Sequence, residues 1–269
     1  MPGFDKILVP VDLSAASIGA AHYALALADA LGAEVAFLHA LGGEWPLAGE
    51  QRCMRNRIQR LASQSPARFL VREGSPAEVI IETAKNEKAD LILMPTCGAP
   101  ALLRLAGCSV TAKVMRDARC PVWSARGDLE SYAARPIRKI LCGLTGAASS
   151  AVVLRFAAAL SKKLSAGLTL IHAERALVPA PRIPYDPQYR SHVRKMVVEE
   201  LAGIQDREGV AAELRVEGGN ALSVVPAAVD GMGVDLLIVG RSSTETLMGR
   251  LRMTGFELVR RTSCPVVCV

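Results

Sequence analysis

KILVPVDLSAASIGAAHYALALADALGAEVAFLHA, residues 6–40, returns later in the chain as KILCGLTGAASSAVVLRFAAALSKKLSAGLTLIHA, residues 139–173. Lys6 matches Lys139 and His39 matches His172, each 133 residues further on, so the two stretches align without a gap. Further along, EGSPAEVIIETAKNEKADLILMP (residues 73–95) matches EGGNALSVVPAAVDGMGVDLLIVG (217–240), and CPVWSA from Cys120 matches CPVVCV from Cys264. A repeat of this length means one domain present twice. The offset grows in the later segments because the second half carries an insertion around PAPRIPYDPQYR (179–190), a proline-rich stretch that reads as a loop. The expected organisation is a first domain at 1–126, a polar linker at 127–136 and a second domain at 137–269.

Within each half, short β-branched runs alternate with helical patterns. In the first half, residues 7–11, 35–40, 68–71, 91–94 and 122–125 read as strands, and helices are expected from about Ala15, Gly49, Pro76 and Ser109. Runs such as ILVPV and LILMP are apolar on both faces, as in a parallel sheet covered by helices on both sides. The pattern predicts an α/β fold with two tandem doubly wound, Rossmann-like parallel sheets. A ligand on such a sheet sits beyond the carboxyl ends of the strands, at the switch in strand order. In the first half that place is 10–14 together with 95–98.

Composition narrows the function classes. The 269 residues are 51% hydrophobic but only 4% aromatic, so Ala, Val, Leu and Ile carry the core, and disordered or collagen-like chains are excluded. Charges such as Asp29 and Glu34 interrupt the apolar runs before they reach the roughly 18–20 residues of a membrane span. The opening MPGFDKILVPVD lacks a basic region followed by an apolar core and cleavage site, so the expected location is the cytoplasm. Seven cysteines, scattered without CxxC or Cys/His ligand spacing, fit reduced thiols better than a disulfide framework or a zinc site. The net charge of +6 is not accompanied by the aromatic platforms that stack single-stranded bases, and no specific nucleic-acid partner is indicated.

The ordered set KILVPVD, YALALADALGAEVAFLHA, GSPAEVI, ADLILMP and SVTAKVMRDARCPV, found twice along the chain, resembles the universal stress protein family. That resemblance implies five parallel strands per domain, a stress-response role, pairing through the last strands and, in one subset of the family, ATP binding. A tandem member implies an internal pseudo-dimer, with 121–125 beside 265–269, and leaves further homodimerisation open. The ATP-binding subset carries an Asp after the first strand and a later G-x2-G-x9-G-S/T motif, whose glycines let backbone N–H groups approach phosphates. The implied cofactor is ATP, with Mg²⁺ only alongside it. The implied cofactor-binding residues are Pro10, Val11, Asp12, Ala40, Met94, Gly98, Ser109 and Val110, with no catalytic or metal-ligating residue.

The motif is broken in both halves. In the first, Asp12, Gly98 and Ser109 are kept, but Pro95 and Cys108 replace glycines, with Gly107 one residue early. Proline removes a donor and fixes φ. In the second, Thr145 stands in the Asp position, Gly240 is kept, Ser243 replaces the next glycine, and Arg252, Met253 and Thr254 compete for the last pair. The expectation is therefore a regulatory binding protein in which nucleotide binding is degenerate and better retained in the first domain. The alternative is an ATP-binding switch or slow ATPase using the first-domain cleft. A third reading is an interaction scaffold whose second domain, with its proline-rich insertion, recruits a protein or an anionic partner.

Several residues carry two readings from sequence. Asp12 orients a nucleotide or caps the following helix. Ser109 contacts phosphate or is an N-cap. His39 and His172 recur at corresponding strand ends without a neighbouring nucleophile, which favours a scaffold role. Arg241, Arg250 and Arg252, and the helix segment RCMRNRIQR (52–60), form an anion surface or a solvated face. Cys97 and Cys108 bracket the loop as a redox pair or as inert thiols. No GxSxG elbow and no GxxxxGK[ST] loop is present.

Overall fold

The computed structural model describes residues 3–12, 14–42, 67–96, 110–125, 129–145, 149–178, 186–241 and 254–269. The chain divides into two compact units, Gly3–Pro136 and Ile137–Val269.

In the first unit, the strands are β1 (Lys6–Pro10), β2 (Glu34–Leu41), β3 (Arg68–Glu73), β4 (Leu91–Leu93) and β5 (Val122–Ser124). They lie in the order β3-β2-β1-β4-β5, and every pair is parallel. The described helices are α1 (Ala15–Leu31), α2 (Pro76–Asn86), α3 (Val110–Asp117) and a single-turn α4 (Glu130–Ala133). The second unit repeats the plan with β6 (Lys139–Gly143), β7 (Gly167–Glu174), β8 (Glu213–Gly218), β9 (Leu236–Val239) and β10 (Val266–Cys268), ordered β8-β7-β6-β9-β10. Its helices are α5 (Ser149–Leu164), α6 (Pro187–Glu208), α7 (Ala221–Met232) and α8 (Thr254–Arg261). The five strands of the first unit fall where the short apolar runs place them.

The core explains the composition. Ile7, Leu8 and Val9 in β1 and Leu91, Ile92 and Leu93 in β4 are fully or almost fully buried as consecutive residues. That requires cover on both faces of the sheet. Burying each such side chain contributes about 1.5–3 kcal/mol. Because a sheet of short parallel strands is held by contacts distant in sequence, side chains tie the strand ends together. Asp90 Oδ2 accepts the backbone N–H groups of Asp5 (2.9 Å) and Lys6 (3.0 Å), joining the amino ends of β1 and β4. Asp235 Oδ2 does the same for Arg138 (2.8 Å) and Lys139 (2.9 Å). Lys6 Nζ donates to the carbonyl of Glu87 (3.1 Å), and Lys139 Nζ to that of Met232 (3.0 Å). The duplication thus extends to individual hydrogen bonds.

Two segments differ from the reading of the sequence. Residues 187–190, expected in a loop, form the first turn of α6. Asp186 caps that helix by accepting from the N–H groups of Gln188 and Tyr189, and Pro187 occupies the first helical position, where a missing N–H costs nothing. Within 127–136, read as linker, α4 packs on α1, Tyr132 meets Tyr23 edge-on at 6.4 Å, and Leu129 is buried. None of the described helices is long and apolar enough to cross a membrane.

Candidate functional site

The switch in strand order of the first unit falls between β1 and β4. Asp12 lies there, just past β1. Its Oδ1 accepts from the Ser14 N–H (3.0 Å) and the Ser14 hydroxyl (2.6 Å). Ser14 is the N-cap of α1, its Oγ accepting from the Ser17 N–H at 3.2 Å. Ser17 closes the circuit, its hydroxyl donating to the Ser14 carbonyl (3.1 Å) and accepting from the Asp12 N–H (3.3 Å). Partial burial pushes the Asp12 carboxyl up, but the Ser14 hydroxyl, Ser17 and the Ser14 amide outweigh it and hold the group below the usual carboxylate range. The side chain stays exposed and ionised, with acceptor sites to spare.

The other expected residues group around it. Pro10 ends β1 and Val11 follows it, and Ala40 lies near the end of β2, which pairs with β1. Met94, buried, follows β4 and donates its N–H to the Trp123 carbonyl at 3.0 Å. Pro95 offers no N–H, and its carbonyl accepts from the buried Thr111 hydroxyl (3.0 Å), tying the strand end to α3. Val110 begins α3 and is 37% exposed. Gly98 and Ser109 lie outside the described residues, as do Cys97, Gly107 and Cys108.

The second unit shows the same scaffold with different chemistry. Thr145 takes the place of Asp12; its N–H donates to Ser150 Oγ at 3.1 Å, as Asp12 does to Ser17. Thr145 brings a hydroxyl in place of a carboxylate, so the pair of acceptor oxygens is lost. Gly240 follows β9, with Val153 so close that an added Cβ would meet it at 3.1 Å. Arg241 donates its N–H to the Val269 carbonyl at 3.0 Å. Ser243, Arg250, Arg252 and Met253 lie outside the described residues, as does the 52–60 segment.

Both histidines are structural. His39 Nδ1 donates to the Val11 carbonyl (2.7 Å) and His172 Nδ1 to that of Leu144 (2.9 Å), and both rings are buried. Since a carbonyl only accepts, each Nδ1 carries the proton. Burial pushes the thiols of Cys142, Cys264 and Cys268 up to about 12, which leaves them unreactive at neutral pH. Cys120 is only partly buried, unlike its counterpart Cys264. Among the described residues no group of three metal-ligating side chains gathers. The residues missed from sequence are Ser17, Ser150 and Thr111. The first two obey the same 133-residue offset as the histidines, and that regularity is the signal that finds them.

The universal stress protein family model matches residues 3–126 and again 136–269. A universal stress protein of Methanocaldococcus jannaschii is 31% identical over 137 residues, covering 44% of this chain and 80% of the relative. One from Thermus aquaticus is 34% identical over 136 residues, covering 46% of this chain and 99% of the relative. Among solved structures, a universal stress protein from Archaeoglobus fulgidus superposes with a TM-score of 0.73 at 20% identity, over 100% of this chain and 97% of its own. Matched by one family in each half, over a sheet of one topology built twice, the chain belongs to the universal stress protein family as a tandem two-domain member.

Proposed function

We propose that the protein is a stress-response regulatory protein with a single nucleotide site, in the first-domain cleft, and that the second domain has lost its own. The observation that carries this reading is the contrast between Asp12 and Thr145 on matching scaffolds. Asp12 is exposed, ionised and oriented by Ser14 at the switch point, where a ribose hydroxyl would donate to it. Thr145 keeps the backbone arrangement without the carboxylate. ATP with Mg²⁺ is the ligand to test first. Gly98, Ser109 and Val110 would face its phosphates, and Pro10, Val11, Ala40 and Met94 would line the nucleoside side. Pro95 removes one backbone donor, which weakens phosphate binding relative to a complete glycine motif.

The test is isothermal titration of the full chain with ATP and Mg²⁺, alongside Asp12→Asn and Thr145→Ala. Binding of one nucleotide per chain at micromolar affinity, about −8 kcal/mol, weakened at least tenfold by Asp12→Asn and untouched by Thr145→Ala, supports the reading. Two sites per chain, no binding, or indifference to Asp12→Asn overturns it. Phosphate release measured on the same samples separates a binding protein from a slow ATPase.

A further inference from the structure

At the other end of the first sheet from Asp12, beside the amino ends of β4 and β5, α2 and α3 border an open pocket of about 320 Å³. Its floor is apolar, including Ile81 and Ala84, and its charged lining is Lys85, Lys88, Arg119 and Asp117. The carboxylate is already neutralised, because Arg116 holds Asp117 through two parallel bonds of 2.8 and 2.9 Å. Among the described residues the three cations have no ion-pair partner. Elsewhere in the same unit Lys6, Arg68 and Lys113 are all paired with glutamates.

The duplicated domain supplies an internal control. By the alignment of the repeats, Lys85 corresponds to Asp230, Lys88 to Gly233 and Arg119 to Ser263. In the second domain the position is closed on itself, with the Ser263 hydroxyl donating to Asp230 Oδ1 at 2.6 Å. All three cations are therefore particular to the first domain. Lys88 also sits at a backbone position that suits it poorly. It follows the end of α2 at φ +53°, where Gly233 stands at +60° in the second domain, and Gly32 and Gly209 close other helices at +63°. A left-handed lysine is strained, a cost that Ser165 at φ +53° also carries after α5. The helix dipoles favour cations after α2 and after α3, where Arg119 stands, but not a lysine in particular where glycine fits better.

We propose that this pocket is a binding site for a small polyanion bearing a phosphate group, distinct from the Asp12 cleft and unique to the first domain. Lys85, Lys88 and Arg119 grip the anionic groups, while the apolar floor takes the body of the ligand. The volume lies within the usual range for small-molecule sites.

The probe is inorganic pyrophosphate, titrated calorimetrically into the full chain at low ionic strength. Three proteins are compared: wild type, Lys88→Gly/Arg119→Ser and Lys162→Ala/Lys163→Ala. The first double variant installs the second domain's own residues, and Lys88→Gly relieves strain, so folding is preserved and is checked by melting. The second removes the same charge from an exposed stretch of α5. The expected result is one saturable site, weakened at least tenfold in Lys88→Gly/Arg119→Ser and unchanged in Lys162→Ala/Lys163→Ala. Absence of saturable binding overturns the proposal, as does an equal loss in the Lys162/Lys163 variant, which would mean general charge attraction. Binding kept in full by Lys88→Gly/Arg119→Ser overturns it too, because the probe then sits elsewhere, the Asp12 cleft included.

Discussion

The Nδ1–H of His39 donates to the carbonyl oxygen of Val11 across 2.7 Å, and so pins the end of β2 to the residue that precedes Asp12. The same bond joins His172 to Leu144 at 2.9 Å. A bond kept in both domains, whether or not the carboxylate beside it is kept, serves the scaffold. Replacing His39 with leucine leaves the Val11 carbonyl without that donor in a buried setting. The expected loss is about 1–3 kcal/mol of stability, read from the urea midpoint at constant m-value. Nucleotide affinity falls only through displacement of Asp12, so it falls less than in Asp12→Asn.

Asp90 and Asp235 are the second structural pair. Each carboxylate takes two backbone N–H groups at the start of a central strand. Asp90→Ala removes two charge-assisted bonds and is expected to cost about 2–3 kcal/mol, and Asp235→Ala about the same. If chemical denaturation shows either change to be neutral, the amino ends of the strands are held by the sheet alone.

The pH dependence of Asp12 follows from its lowered pKa. A group whose folded pKa lies below its unfolded value of 3.8 stabilises the fold above that value, and the contribution disappears as pH falls through the folded pKa. Because the side chain is exposed, the amount is discounted to less than about 1 kcal/mol. Wild type should therefore melt above Asp12→Asn at pH 7, and the gap should shrink as pH falls below 3.8 and through the lower folded pKa. A gap that widens on acidification contradicts the arrangement around Ser14.

How far the sequence carried this fold is clearest at particular residues. The five strands of the first half were legible because burial on both faces writes itself as short β-branched runs, and the repeat carried four of them into the second half. Asp12 and Thr145 were legible because they follow a strand at a fixed offset. The Asp90 clamp was not, since a carboxylate bonded to backbone 85 residues away leaves no local pattern. Helix α4 was hidden because four residues are too few to show a helical period. Thr111 bonds a carbonyl 16 residues before it, a partner that only the folded chain brings close. Lys88 looked like any surface lysine, because φ is a property of the fold.

Lys88 yields a stability prediction separate from ligand binding. A non-glycine residue in the left-handed region costs about 1–2 kcal/mol. Glycine there recovers part of it, so Lys88→Gly is expected to raise stability by about 1 kcal/mol, and Gly233→Lys to lower it by a similar amount. Thermal melts of the two variants, one per domain, provide opposite signs from one physical cause.

The packing of α8 on β10 supplies the sharpest test of the second domain. A Cβ built on Gly255 would lie 2.6 Å from Cys268 Sγ, far inside contact distance, yet 3.8 Å from Cys268 Cβ, which is ordinary contact. Gly255→Ala is therefore an overpacking change, with an expected cost of about 1–3 kcal/mol. The obstruction is the sulfur alone, so Cys268→Ala should make room. In a double-mutant cycle the two changes together should cost less than their sum by at least about 1 kcal/mol. Additive costs would mean that α8 moves away from the strand instead of meeting the thiol. The matching pair in the first domain is Thr111 and Ser124, where the helix position carries a β-branched side chain and the strand carries a smaller oxygen in place of sulfur. By that alignment the larger side chain stands on the helix in the first domain and on the strand in the second.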